Sequence, residues 1–270
     1  MKSILSLNDG NLVYRTIGKR HAETIFFCHS LGANQSLWDR QIEQLSDSYH
    51  IVSCDLRGHG ESDIFTTPYS IEIFARDILT LLDHLDIFSF HFVGLSLGSM
   101  IGLWLSSNSS NRVKRLVLAG ASAEVLDSTA FEKRINHIKI HGLDSMFNEL
   151  DARWYADGFP TMHPSIVKEI HTMVAKTPIE GYIAATIAVR DFDITDRLSD
   201  IKAPLLLITG AEDKATPLSE AKLIAKTCAN AKLITIENAS HLALVEKPYE
   251  FDTALLNFFS YVDEQPHKNN

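Results

Sequence analysis

Cysteine is scarce: Cys28, Cys54 and Cys228 are the only three in 270 residues. An odd number without framework spacing excludes a disulfide-stapled secreted scaffold and fits reduced thiols in a cytoplasmic protein. Apolar runs are short. None approaches the roughly 20 residues needed to cross a bilayer, and the stretch before Asn8-Asp9-Gly10 is too short for a signal-peptide core. Basic charge is in deficit, with 25 Lys and Arg against 34 Asp and Glu and a formal net charge of -9. Without a local cluster of Lys or Arg, such a surface repels phosphate backbones. Neither nucleic acid nor membrane is an expected partner, and one sequence leaves the oligomeric state open.

What remains is an ordinary globular composition, 45% hydrophobic and 22% charged, long enough for one large core with or without an insertion. Hydrophobic patterning predicts strands at 11–17, 24–28, 50–53, 89–93, 113–119, 205–209 and 232–236. Helices are expected at 36–45, 70–85, 97–106, 218–227 and 248–259, with Ser70 capping the second. Continuous apolar strands alternating with helices imply an α/β fold, a mostly parallel sheet covered on both faces. Between about Ala123 and Arg190 strand signals vanish, and Pro160, Pro164 and Pro178 divide short helical pieces. The expected organisation is therefore a core at 1–122 and 191–270 with a helical cap at 123–190. The polar tail 264–270 is expected to fray.

The strongest local signal is Gly94-Leu95-Ser96-Leu97-Gly98, between a predicted strand and a predicted helix. A nucleophile on so sharp a turn needs small neighbours two residues away on either side. A serine hydroxyl also needs a base, and the base needs a third group to hold it. In the order Ser, acid, His, the base is His241 after the last strand, and the acid is Asp213, with Glu212 the alternative. Backbone amides of Leu97 and Leu31 are the expected oxyanion donors. His29 is expected to shape its loop, and residues 55–62 to form a tight turn. His137 and His141 have the i,i+4 spacing of metal ligands, but without a third ligand nearby they read as a solvated helix face, and no metal site is expected.

His29-Ser30-Leu31-Gly32, Arg57-Gly58-His59-Gly60-Glu61-Ser62, Gly94–Gly98 and Ala239-Ser240-His241-Leu242 together resemble the α/β-hydrolase superfamily. Several further stretches are similar to the 3-oxoadipate enol-lactonases. These are Ala152-Arg153-Trp154-Tyr155, Thr177-Pro178-Ile179-Glu180-Gly181-Tyr182, residues 187–193 and Asp213-Lys214-Ala215-Thr216-Pro217. Ser99 departs from that pattern, standing where those enzymes usually carry a second Gly after the elbow. Phe131 stands where they commonly carry Trp.

The resemblance implies opening of the enol-lactone through an acyl-enzyme on Ser96, with no metal or organic cofactor. It implies a small-molecule ester or lactone substrate whose free carboxylate is bound by arginine. Arg134, Arg153 and Arg190 are the candidates for that contact, Arg190 foremost, with Phe131 and Trp154 as pocket residues, although a place in the cap core is slightly favoured for Trp154. A broad carboxylesterase using the same residues, and a non-catalytic ligand-binding protein on this fold, are the alternatives.

Overall fold

The alternating pattern closes into one eight-stranded sheet in the computed structural model, which describes residues 2–125 and 127–263. The strands are β1 (Lys2–Leu7), β2 (Gly10–Gly18), β3 (Thr24–Cys28), β4 (His50–Cys54), β5 (Phe90–Leu95), β6 (Val113–Ala119), β7 (Leu205–Gly210) and β8 (Ala231–Ile236). Their order is β1-β2-β4-β3-β5-β6-β7-β8. β2 runs antiparallel to both neighbours, and from β4 to β8 every pairing is parallel. β1 was not anticipated from the pattern: it is an edge strand paired only with β2, and Ile4 is left exposed.

The helices of the first half are α1 (Asp39–Leu45), α2 (Ile71–His84) and α3 (Leu97–Asn108). A single 3-10 turn, Gln35–Trp38, precedes α1, where a continuous helix was expected. Ser70 caps α2 as predicted, its hydroxyl accepting from Ile73 N at 3.2 Å. Between β6 and β7 lie α4 (Ser128–His141), α5 (Phe147–Trp154), α6 (Phe159–Met162), α7 (Pro164–Ala175) and α8 (Ile179–Arg190). The stems of this insertion meet in a bridge between Glu124 and Asp193, reinforced by Ile194 N donating to Ala123 O at 2.9 Å. The chain continues through α9 (Leu218–Thr227), α10 (Ala243–Glu246) and α11 (Pro248–Asp263). The tail 264–270 lies outside the described residues.

Because side chains alternate across a strand, β3 splits its apolar residues between two cores. Phe26 packs with Phe74, Phe92 and Ile101 on one face, while Ile25 and Phe27 pack with Trp38 and Phe251 on the other. Parallel strands also send their C-terminal ends to one edge of the sheet, where open α/β sheets place their ligands. The loops after β3, β5, β6, β7 and β8 therefore converge there. Among the described residues no helix is long and apolar enough to cross a membrane.

Candidate active site

Ser96 joins β5 to α3 at φ 55° and ψ -110°, a left-handed conformation that a residue with a side chain adopts only at a cost. Its amide is held by Ala119 O at 2.9 Å. The glycines around it answer to close approach: a Cβ on Gly94 would collide with the Gly98 carbonyl, and one on Gly98 would lie 2.5 Å from Cys28 O. Ser99 replaces the second glycine without disrupting the turn. Its buried hydroxyl donates to Gly94 O at 3.0 Å and lies 2.7 Å from Ala119 O, so it braces both sides of the elbow.

The loops after β7 and β8 bring Asp213 and His241 together. His241 Nδ1 lies 2.9 Å from Asp213 Oδ2 and both groups are buried. Asp213 Oδ1 accepts from the amides of Ala215 and Thr216, each at 2.8 Å, and Oδ2 accepts from Thr216 Oγ1 at 2.8 Å. Burial works against ionisation of Asp213, but the His241 charge and these hydrogen bonds outweigh it and hold the carboxyl below its ordinary range. An ionised Asp213 requires the proton on Nδ1 of a neutral His241, leaving Nε2 free as a base. Thr216 Oγ1 also lies 3.2 Å from Nδ1, a contact the sequence did not announce. Glu212, the alternative acid, instead donates its amide to Ala239 O.

Leu97 is the first residue of α3, so its N–H has no acceptor within the helix. Leu31 lies on the loop leaving β3, beside Ser96 on the wall of the same cavity. That loop is fixed by His29, whose Nδ1 is 2.8 Å from Ser30 O while Nε2 accepts from Leu56 N at 2.9 Å. An accepting Nε2 places the proton on Nδ1, and burial depresses the ring's pKa to about 4, so His29 is a neutral brace. Residues 55–62 are likewise a fixed turn: Asp55 accepts from Gln35 N and Glu61 N at 2.9 Å each.

Ser96 and His241 open onto a cavity of about 350 Å³ that also reaches Phe131, Arg134, Arg153, Trp154 and Tyr182. Phe131 and Arg134 are one turn apart on α4, the guanidinium 5.2 Å from the ring centroid. Trp154 both lines the cavity and packs against the hydrophobic cluster of Ile138, Leu150 and Tyr182. Arg134 is buried and its Nε has no hydrogen-bond partner, while Glu149 stands 3.8 Å from its other end. The Arg153 guanidinium makes no hydrogen bond or ion pair among the described residues. Burial, followed by the nearby Arg134 charge, lowers its pKa. The buried Tyr182 hydroxyl lies beside Arg134 and is otherwise unpartnered.

Arg190 is not part of this wall. Tyr182 and Val189, seven residues apart on α8, face the cavity. Arg190, about 100° further round the helix, leaves on another face. It forks onto Asp191 at 2.7 and 2.9 Å, with Glu132 at 3.9 Å. His137 bonds Ser145 Oγ at 2.9 Å, and no group of three potential metal ligands is clustered among the described residues.

The chain is 32% identical over 254 residues, 94% of its length and 95% of the relative's, to 3-oxoadipate enol-lactonase 2 of Acinetobacter baylyi. It is 29% identical, over 90% of its length and 95% of the relative's, to a putative carbamate hydrolase RutD of Agrobacterium fabrum. The crystal structure of the enol-lactonase from Burkholderia xenovorans LB400 superposes with a TM-score of 0.91 at 28% identity, covering 96% of this chain and 100% of that one. A family model described as the alpha/beta hydrolase fold matches residues 23–248. With its parallel sheet and strained serine turn, this chain belongs to the α/β-hydrolase family and is a hydrolase resembling the enol-lactonases.

Proposed function

We propose that the protein opens 3-oxoadipate enol-lactone to 3-oxoadipate, with Ser96, Asp213 and His241 as its catalytic triad. His241 Nε2 takes the proton as Ser96 Oγ attacks the lactone carbonyl. The amides of Leu97 and Leu31 stabilise the oxyanion. Collapse of the tetrahedral intermediate breaks the ring C–O bond, and the enol oxygen leaves with the proton returned by His241. The enol then becomes a ketone. Water, deprotonated by His241, attacks the acyl-enzyme and releases the new carboxylate with Ser96 restored.

The observation that carries the substrate class is the pair Arg134 and Arg153 with the Tyr182 hydroxyl. These are donors in the cavity of Ser96 with hydrogen-bonding capacity to spare: Arg134 meets Glu149 at 3.8 Å but its Nε is unpartnered, as is the Tyr182 hydroxyl, and the Arg153 guanidinium lies near the Arg134 charge. Two cations brought this close cost free energy unless an anion joins them, and a planar carboxylate suits a guanidinium fork. The lactone carries one such carboxylate, and the helices at 123–190 act as the cap that presents its site. The lactonase relatives support this reading; the RutD relative names a carbamate instead.

The test compares kcat/KM for the enol-lactone with that for p-nitrophenyl acetate. A lactonase prefers the lactone by about 100-fold or more, since a matched charge pair is worth about 3 kcal/mol. Arg153→Ala should raise KM for the lactone and leave it unchanged for the neutral ester. Equal turnover of the two substrates would make the protein a broad carboxylesterase. Activity surviving in Ser96→Ala would sink the triad.

A further inference from the structure

Glu246, the last residue of α10, is a buried acid with no cationic partner among the described residues. Its oxygens are spent on two backbone amides from distant parts of the chain. Oε1 accepts from Ala156 N at 2.7 Å, and Oε2 accepts from Ser240 N at 2.6 Å. Ala156 follows α5, in the segment whose Arg153 and Trp154 line the cavity, and Ser240 immediately precedes His241. The same two segments are sewn together on both sides of this carboxylate. Leu242 N donates to Trp154 O at 3.0 Å, and Ser240 Oγ lies 3.1 Å from Arg153 O and 3.0 Å from Glu212 O.

We propose that Glu246 is a positioning residue that fastens the loop carrying His241 to the Arg153–Ala156 wall of the substrate cavity. The inference rests on His241 being the base of the proposed triad. A carboxylate can serve both amides because it has an acceptor on each oxygen; its amide or protonated counterpart has only one strong acceptor to offer. Such an ionised acceptor binds N–H groups more tightly than a neutral carbonyl. The neighbours of His241 in sequence, Ser240 and Leu242, are both held by bonds to this wall, so the imidazole has little freedom to drift from Ser96. The wall that meets substrate and the loop that bears the base therefore keep one relative placement.

The test is Glu246→Gln, which keeps the size of the side chain but must release one amide. Ser96 is titrated with a fluorophosphonate, so that kcat is expressed per active serine. For p-nitrophenyl acetate, kcat per titrated serine should fall about tenfold or more with KM nearly unchanged, because a misplacement near 1 Å costs up to about 100-fold. The second-order rate of fluorophosphonate labelling should fall in step. Ile78→Val, a core truncation on α2, supplies a variant of lowered Tm in which both rates stay near wild type. A folded Glu246→Gln with both rates within about twofold of wild type overturns the proposal.

Should Glu246→Gln fail to accumulate, Glu246→Asp keeps the charge but shortens the reach by one methylene, so that the carboxylate no longer spans the amides of Ala156 and Ser240. This variant is expected to lower both rates by about threefold, and unchanged rates there overturn the proposal equally. Turnover persisting in Ser96→Ala would instead strike the triad itself. The two failures are therefore separable.

Discussion

Four hydrogen bonds hold the Asp213 carboxylate, three of them from Ala215 and Thr216. Two of those three are backbone amides and survive any substitution other than proline. The Thr216 hydroxyl is the separable one. It fixes Oδ2, the oxygen that meets His241, and so orients the carboxylate more than it binds it. Thr216→Val keeps the shape and removes this bond, and kcat/KM on p-nitrophenyl acetate should drop about five- to tenfold, or about 1 kcal/mol. KM should stay level, since Thr216 would act on the base through Asp213. An unaltered kcat/KM would reduce the hydroxyl to a packing role. Sequence spacing does not disclose that the hydroxyl of this threonine bonds Asp213 three residues earlier and also meets His241 from 25 residues downstream.

At the level of elements, the strand-end loops were legible because each carries its own pattern: small residues around Ser96, Gly-x-x-Asp after β7 and Ser-His after β8. β1 was not, because as an edge strand it buries little and reads as a polar terminus with a few apolar residues. Arg190 lies off the cavity wall for a helical reason, since its neighbour Val189 faces the cavity and a single step of α8 turns the side chain toward Asp191. Ser99 shows how an element absorbs a departure from its family's pattern. On the first turn of α3 it bonds Gly94 O and approaches Ala119 O, tying the elbow to β5 and β6. Ser99→Gly should therefore not improve the elbow. It adds the flexibility of glycine within a helix and loses a buried hydroxyl's contacts, for a combined loss of about 1–3 kcal/mol. A lowered urea midpoint at constant m-value would register it, and a midpoint at or above wild type would contradict it.

For the whole molecule, the buried imidazoles set the response to acid. His29 and His59 lie 5.2 Å apart between ring centroids in the turn beneath the site. Burial, joined for His59 by the repulsion of its neighbour, lowers their pKa values to about 4 and about 3 from 6.5. In the unfolded chain both rings take up protons as pH falls below about 6.5, whereas the fold refuses them until about 4 and about 3. The stabilisation is thus complete above the unfolded value and is lost progressively as pH falls through the folded ones, at up to about 1.4 kcal/mol per pH unit for each ring. Several other effects oppose this trend, Asp77 among them, its pKa raised chiefly by burial. The net charge of -9 shrinks toward the pI near 5.7, relieving self-repulsion. Glu246, its pKa raised chiefly by burial, regains stability as acid protonates it. A Tm that falls between pH 6.5 and 4.5 despite these would point to the buried histidines as a group, His50 and His91 included, since burial lowers their pKa values too. His59→Gln removes one of these titrations, so its Tm should decline less steeply over that range than the wild type's. Parallel declines in the two proteins would locate acid sensitivity outside this pair.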